Sequence, residues 1–246
     1  MKALLLAGGM GTRLAPITDH IPKCLVPIQH IPLIDYWLAQ LVAQDIKDIL
    51  VNTHYLADKV NAYLKASKWA PYITMVHEPV LLGTGGTLQK NQAFFEDKTF
   101  FVAHADNLTV IDIPAYYAHH LKRPEGVDIT MMTFTTDTPE TCGIVEVDER
   151  GVVKQFHEKV KNPPNNQANG AIFIMEPSIF DVLNQIEKPL IEISCDLLPR
   201  YLNKMQIWQN EIYLRDIGNP TSLAQANEDI LSHPALARLY DSLRFS

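Results

Sequence analysis

Short, almost wholly apolar runs alternate with amphipathic segments through the first half of the chain, and this alternation is what most limits the fold. Lys2 to Ala7 reads as a strand covered on both faces, as a central parallel strand must be. Residues 32–44 have helical spacing with a proline in the first turn. Further strands are expected over 48–53, 72–78 and 99–107, with helices over 57–67 and 84–95. Strand following helix in this order argues for a mixed, mostly parallel sheet with helices on both faces, a three-layer α/β/α arrangement. Beyond it come a strand over 127–135 and a hairpin over 142–159 that turns at Asp148 to Gly151. A strand near 169–175, a helix through Leu197, two short runs over 206–215 and a helix from Pro220 complete the reading. With 246 residues and 47% hydrophobic content, a single domain over 1–246 is expected, burying roughly 70–75% of the surface its unfolded chain exposes.

The first strand breaks into LAGGMGTRL. Gly8, Gly9 and Gly11 allow positive φ and close approach of a ligand. Backbone N–H groups in such a loop make a concave anion site, and Arg13 and Lys23 add full charge beside it. Pro22 and Pro27 stiffen the segment that carries Lys23. The loop is not a dinucleotide fingerprint, because Leu14 stands where the third glycine would fall; nor does it end in the Gly-Lys-Ser/Thr of a P-loop. Asp106 ends an apolar strand in AHADN, where open α/β sheets place ligands. Asp216, in RDIGNP, ends another run just before a helix-start signal. Two such carboxylates beside polyphosphate would make an Mg²⁺ site; each alone reads equally well as a cap.

The formal net charge of −7 with no basic stripe argues against nucleic acid as a partner. Cys24, Cys142 and Cys195 suggest neither a disulfide frame nor a zinc site, and the histidines share no ligand spacing. No cleavage-site pattern opens the chain and no apolar run reaches about 18 residues, so membrane contact is not expected and a cytoplasmic location is.

LAGGMGTRLAPITDHIPKCLVPI resembles the signature of the sugar-1-phosphate nucleotidylyltransferases. LGTGGTL, the strand-end Asp106, FHEK with Asn169-Gly170, and RDIGNP follow in the family's order. The resemblance implies a Rossmann-like nucleotidyltransferase fold and transfer of a nucleoside monophosphate from an NTP to a sugar 1-phosphate with Mg²⁺. It implies that Leu6, Ala7, Gly8, Gly9, Gly11, Thr12, Arg13, Glu78, Gly83 and Thr84 bind the nucleotide. Arg13, Lys23 and Lys159 would be catalytic, Asp106 and Asp216 would hold Mg²⁺, and Gly143, Glu158, Lys159, Asn169 and Gly170 would line the sugar pocket. The usual E-K-P reads Glu158-Lys159-Val160, and N-A-G-I-Y reads Asn169-Gly170-Ala171-Ile172-Phe173, which bears on the sugar more than on the reaction. A C-terminal left-handed β-helix is not expected, and homo-oligomers, frequent in the family, are.

Glu78 at a strand end could accept from guanine N1–H and its amino group, whereas uracil and thymine offer one ring N–H between carbonyls; it reads equally well as an exposed strand-end glutamate. LGTGG resembles the loop of the mannose-1-phosphate and heptose-1-phosphate guanylyltransferases, and VNTHYLADKV resembles the mannose enzymes' segment, so GTP is the expected nucleotide. Transfer from UTP or dTTP to a hexose or amino-sugar phosphate is the alternative. A non-catalytic nucleotide-sugar binding module would be expected to lack Arg13, Lys23 or an aspartate, and all four are present.

Overall fold

The structure is a computed structural model that describes residues 1–245. The chain divides into two compact units. The first holds Lys2–Val80, His104–Ile113 and residues 212–245; the second holds Leu81–Ala103 and Pro114–Glu211.

In the first unit Ile49–Thr53 lies between Lys2–Leu6 and Ile73–His77, parallel to both, with Leu4 opposite Leu50 and Leu50 opposite Thr74. All five residues of the middle strand are buried, which is why it reads as an apolar run rather than an alternation. The helix Leu33–Ala43 buries Leu33, Tyr36, Trp37 and Leu41 at helical spacing, and Ala57–Ala66 buries Val60 and Leu64.

The single strand expected over 99–107 is two. Phe100–His104 ends, and Asn107–Val110 starts a separate antiparallel pair with Tyr213–Asp216. Asp106 stands at the break, where Ala105 N–H donates to Leu6 O (3.0 Å) and Ile217 N–H donates to Asp106 O (3.2 Å). The helix Leu33–Ala43 fixes the new strand: Trp37 Nε1 donates to Asn107 O (2.9 Å) and Gln40 Nε2 to Thr109 O (2.8 Å).

The helix expected from Pro220 is also two, Pro220–Ser232 and Pro234–Arg244. Pro234 has no N–H to continue the first helix and suits the first turn of the second. Ala226, Ile230 and Leu236 from these helices share a core with Leu14, Val26, Ile28, Tyr36, Leu108 and Ile217. The tail therefore packs beneath the residue next to Arg13.

In the second unit Gln167–Met175 lies between Phe100–His104 and Ile129–Thr135, antiparallel to both, and Met205–Gln209 runs parallel to Ile129–Thr135. The hairpin Gly143–Val147 with Val153–Glu158 forms where expected. Phe95, Phe100 and Phe180 stack in its core, with centroids 4.2 Å apart for the first two and 5.5 Å for the last two. The helix expected through Leu197 is two pieces, Ile179–Leu183 and a π-type turn Ile193–Leu197, separated by a stretch that contains Pro189.

Candidate active site

The glycine loop leaves the first strand and tightens into the 3₁₀ turn Thr12–Leu14. Gly11 has φ 64°, and a Cβ there would meet Thr18 Cγ2 at 3.0 Å and Lys23 Cβ at 3.2 Å. Glycine is required here by the backbone and by crowding alike. A Cβ on Gly9 would touch nothing in the protein within 4 Å, so its space is open to a ligand. Thr18 Oγ1 donates to Gly11 O (2.9 Å), and Tyr55 Oη donates to Thr18 O (2.9 Å), which ties the loop to the body of the unit. Thr12 and Arg13 are exposed on it.

Lys23 sits in the 3₁₀ turn Lys23–Leu25 with its side chain only 8% exposed. Its Nζ donates to Asp106 Oδ2 at 2.7 Å and to Asp216 Oδ1 at 3.1 Å. Arg13 Nη2 lies 3.6 Å from the other Asp216 oxygen. Asp216 ends the strand Tyr213–Asp216, and its partner in the antiparallel register is Asn107, the residue after Asp106. A Cβ on Gly218 would lie 2.5 Å from Asp216 Oδ2, so the glycine leaves room for that carboxylate. Burial pushes the Asp106 carboxyl up, but the Lys23 ammonium, His104 and the hydrogen bond from Lys23 outweigh it, and the group stays below its ordinary range.

Two hard carboxylate donors already share one cation, and no third His, Cys, Asp or Glu joins them in a metal-sized group among the described residues. That partial set suits Mg²⁺ completed by phosphate oxygens rather than an all-protein cage. The donors fit. Neighbouring Cys24 is buried, and burial pushes its thiol up to about 12, which leaves it unreactive.

Asn52 lies in VNTHYLADKV with no expected role of its own, yet it links two expected site residues. Its Oδ1 accepts from Ala7 N–H (2.8 Å) and its Nδ2 donates to Glu78 Oε1 (3.1 Å). Its signal in the sequence is an amide inside an apolar strand, since a buried polar group needs partners. Leu6 and Ala7 are buried at the strand end, and Glu78 is 2% exposed.

Gly83 and Thr84 fall in the second unit, where they spend their groups inside the protein. Gly83 has φ 78°, and a Cβ there would lie 2.4 Å from Ile191 O. Thr84 Oγ1 donates to Glu192 Oε2 (2.7 Å), and Gly85 N–H donates to Ile191 O (2.8 Å). The second glycine loop thus seats the helix Thr84–Lys90 on residues 191–192, a use no local signal announced.

In the same unit Glu158 pairs with Gly143 across the hairpin, and a Cβ on Gly143 would lie 2.8 Å from Glu158 Oε2. Lys159 comes next at φ 51°, its N–H donating to Cys142 O (3.0 Å) and its Nζ 3.5 Å from Glu158 Oε1. Asn169 and Gly170 open a bulge in Gln167–Met175, where Asn169 Oδ1 accepts from Ala171 N–H (2.9 Å).

The glycine loop and the paired aspartates thus meet within one α/β unit. The chain belongs to the nucleotidyl transferase family, whose profile matches residues 2–233. It is 30% identical to the mannose-1-phosphate guanylyltransferase catalytic subunit beta of Drosophila pseudoobscura pseudoobscura, over 89% of this chain and 59% of that protein. It is 31% identical to the UTP–glucose-1-phosphate uridylyltransferase of a Synechocystis strain, over 82% of this chain and 55% of that one. The chain thus spans under two thirds of the length of these relatives. Among solved structures, a Bacillus anthracis protein in complex with a sucrose, provisionally named glucose-1-phosphate thymidylyltransferase, aligns with TM-score 0.85. Its identity is 24%, covering 95% of this chain and 96% of that one. HddC from Yersinia pseudotuberculosis complexed with GMP-PN aligns with TM-score 0.78 and 23% identity, over 93% and 99%. These neighbours have the expected architecture, a mixed, mostly parallel central sheet with helices. No helix among the described residues is long and apolar enough to cross a membrane.

Proposed function

We propose that the chain transfers a nucleoside monophosphate from an NTP, preferentially GTP, to a mannose- or heptose-type sugar 1-phosphate, releasing pyrophosphate with Mg²⁺ as cofactor in the cytoplasm. The observation that carries this reading is the Lys23 ammonium held by Asp106 and Asp216, with Arg13 beside them on the glycine loop.

The phosphate of a sugar 1-phosphate is an anion at neutral pH and needs no general base. The protein's task is to bring two anions together and to stabilise charge that moves onto departing pyrophosphate. Gly8, Gly9 and Gly11 admit the triphosphate, Thr12 and Arg13 bind its oxygens, and Lys23 neutralises the α-phosphate as it is attacked in line. Asp106 and Asp216 would hold Mg²⁺, which supplies charge neutralisation on the phosphate oxygens. Lys159 binds the sugar phosphate, while Glu158, Gly143, Asn169 and Gly170 receive the sugar. Glu78, oriented by Asn52, accepts from guanine N1–H and its amino group.

GTP is supported by Glu78 and by the relatives named as guanylyltransferases. Transfer from UTP is the second reading, favoured by the 31% identity to a uridylyltransferase. Pyrophosphate release, followed for GTP, UTP, dTTP, CTP and ATP against mannose, glucose, glucosamine and manno-heptose 1-phosphates, separates them. Release confined to GTP is expected. Glu78→Gln should then lower kcat/KM for GTP about 10- to 100-fold, as loss of a charge-assisted pair of hydrogen bonds does. An unchanged GTP preference in that variant removes Glu78 from base selection, and release with UTP alone replaces the guanylyl reading.

A further inference from the structure

We propose that Lys23 is the resident counter-cation of the Asp106 and Asp216 carboxylates, and that a divalent cation taking these oxygens displaces the ammonium and so delivers it to substrate phosphate. The inference rests on the nucleotidyl-transfer reading above and assigns a second role to a residue of that site.

The geometry is one of shared space. Nζ lies 2.7 Å from Asp106 Oδ2 and 3.1 Å from Asp216 Oδ1, so it stands where the two oxygens converge. An Mg²⁺ ion binds carboxylate oxygen at about 2.0–2.1 Å, closer than either contact, and an ion bridging both oxygens must enter the volume the ammonium fills. Charge adds to volume, because two cations at this separation repel strongly in a partly buried setting. The Lys23 side chain is almost fully covered, while the carboxylates are 37% and 50% exposed, so an ion can approach them from solvent.

The backbone of Lys23 is pinned, by Leu25 N–H on Pro22 O (2.8 Å) and Val26 N–H on Lys23 O (3.1 Å). Only the side chain is free to move, and a lysine's flexible four-carbon stem lets it do so. Arg13 sits on the second Asp216 oxygen at 3.6 Å, which leaves that carboxylate partly neutralised when Nζ departs. The ammonium therefore reaches phosphate only once a cation has taken its place, and each aspartate is compensated throughout.

The test uses the full chain without nucleotide and Mn²⁺ as the probe, with bound and free ion distinguished by electron paramagnetic resonance. Lys23→Met should bind Mn²⁺ at least about tenfold more tightly than the unmodified chain. Adding Asp106→Asn to Lys23→Met should remove the gain. Equal or weaker binding by Lys23→Met, with Asp106→Asn still abolishing it, overturns displacement while leaving the metal assignment standing. Binding indifferent to Asp106→Asn overturns both. Should Lys23→Met fail to fold, the unmodified chain decides: amine labelling of Lys23, read by peptide mass spectrometry, should rise several-fold across an Mg²⁺ titration. A flat response overturns the proposal.

Discussion

Lys23 is an ammonium kept out of water, and such a charge is tolerated only when paired. Its two aspartates provide that pairing, so the residues proposed for chemistry are also what makes one another's burial bearable. Exchanging Asp106 for Asn keeps shape and removes charge. We expect kcat to fall at least about a hundredfold, on the scale of losing one preorganised electrostatic contact, with the melting temperature little changed because Asp216 still pairs Lys23. Near-normal turnover would remove Asp106 from the metal site. Ala171 raises a different matter. It holds φ 55°, a left-handed conformation that costs a residue with a Cβ about 1–2 kcal/mol, and the family's usual order of small residues puts glycine there. Ala171→Gly should therefore stabilise the chain by about 1 kcal/mol, seen as a higher urea midpoint at unchanged slope.

Among the elements, the pair Asn107–Val110 and Tyr213–Asp216 matters most, because its register sets Asp216 against Asn107, the residue that follows Asp106. Trp37 and Gln40 hold one strand from the helix Leu33–Ala43. The other strand is held by the start of the next helix: Asn219 caps Pro220–Ser232 by accepting from Ser222 N–H (2.8 Å), and Ser222 Oγ donates to Asp216 O. Asn219→Ala should cost about 1 kcal/mol of stability, the usual loss for such a cap, measured by urea unfolding. This cap was legible in GNPTS. The break at Asp106 was not, since TFFVAHADN is apolar and periodic enough to pass for one strand, and its end is fixed by hydrogen bonds to residues about a hundred positions away in each direction.

At the scale of the molecule, the second unit contains a buried polar network that motif reading passed over. His120 is fully buried, with Nδ1 2.6 Å from Thr130 Oγ1 and Nε2 2.8 Å from Glu176 Oε1; Arg123 Nη2 lies 3.0 Å from the same Glu176 oxygen, to which Thr99 also donates. Burial pushes the imidazole down from its ordinary 6.5, against the opposing effect of its hydrogen bond to the Glu176 carboxylate. The unfolded chain therefore takes up a proton at His120 before the folded one does. Stability should be level above about pH 6.5 and fall as pH drops below it towards the lowered folded value. Urea midpoints between pH 7.5 and 5.5 should show the slope, and His120→Asn should flatten it even while lowering overall stability. An unaltered slope in that variant would place the titration elsewhere.

The sequence by itself determined the elements that local periodicity controls: the apolar parallel strands, the helices between them, the 143–158 hairpin and the glycine loop with Arg13. Each depends on residues within a few positions of one another, where spacing and turn chemistry act directly. It also marked Lys23, Asp106 and Asp216 as candidates, though only as separate charges at strand ends. The tertiary structure alone decided that the three meet within 3.1 Å, that Asn52 joins Ala7 to Glu78, and that the second glycine loop serves residues 191–192. Each of these rests on pairing between segments remote in the chain, and no local pattern carries the register of a partner that folding has yet to bring alongside.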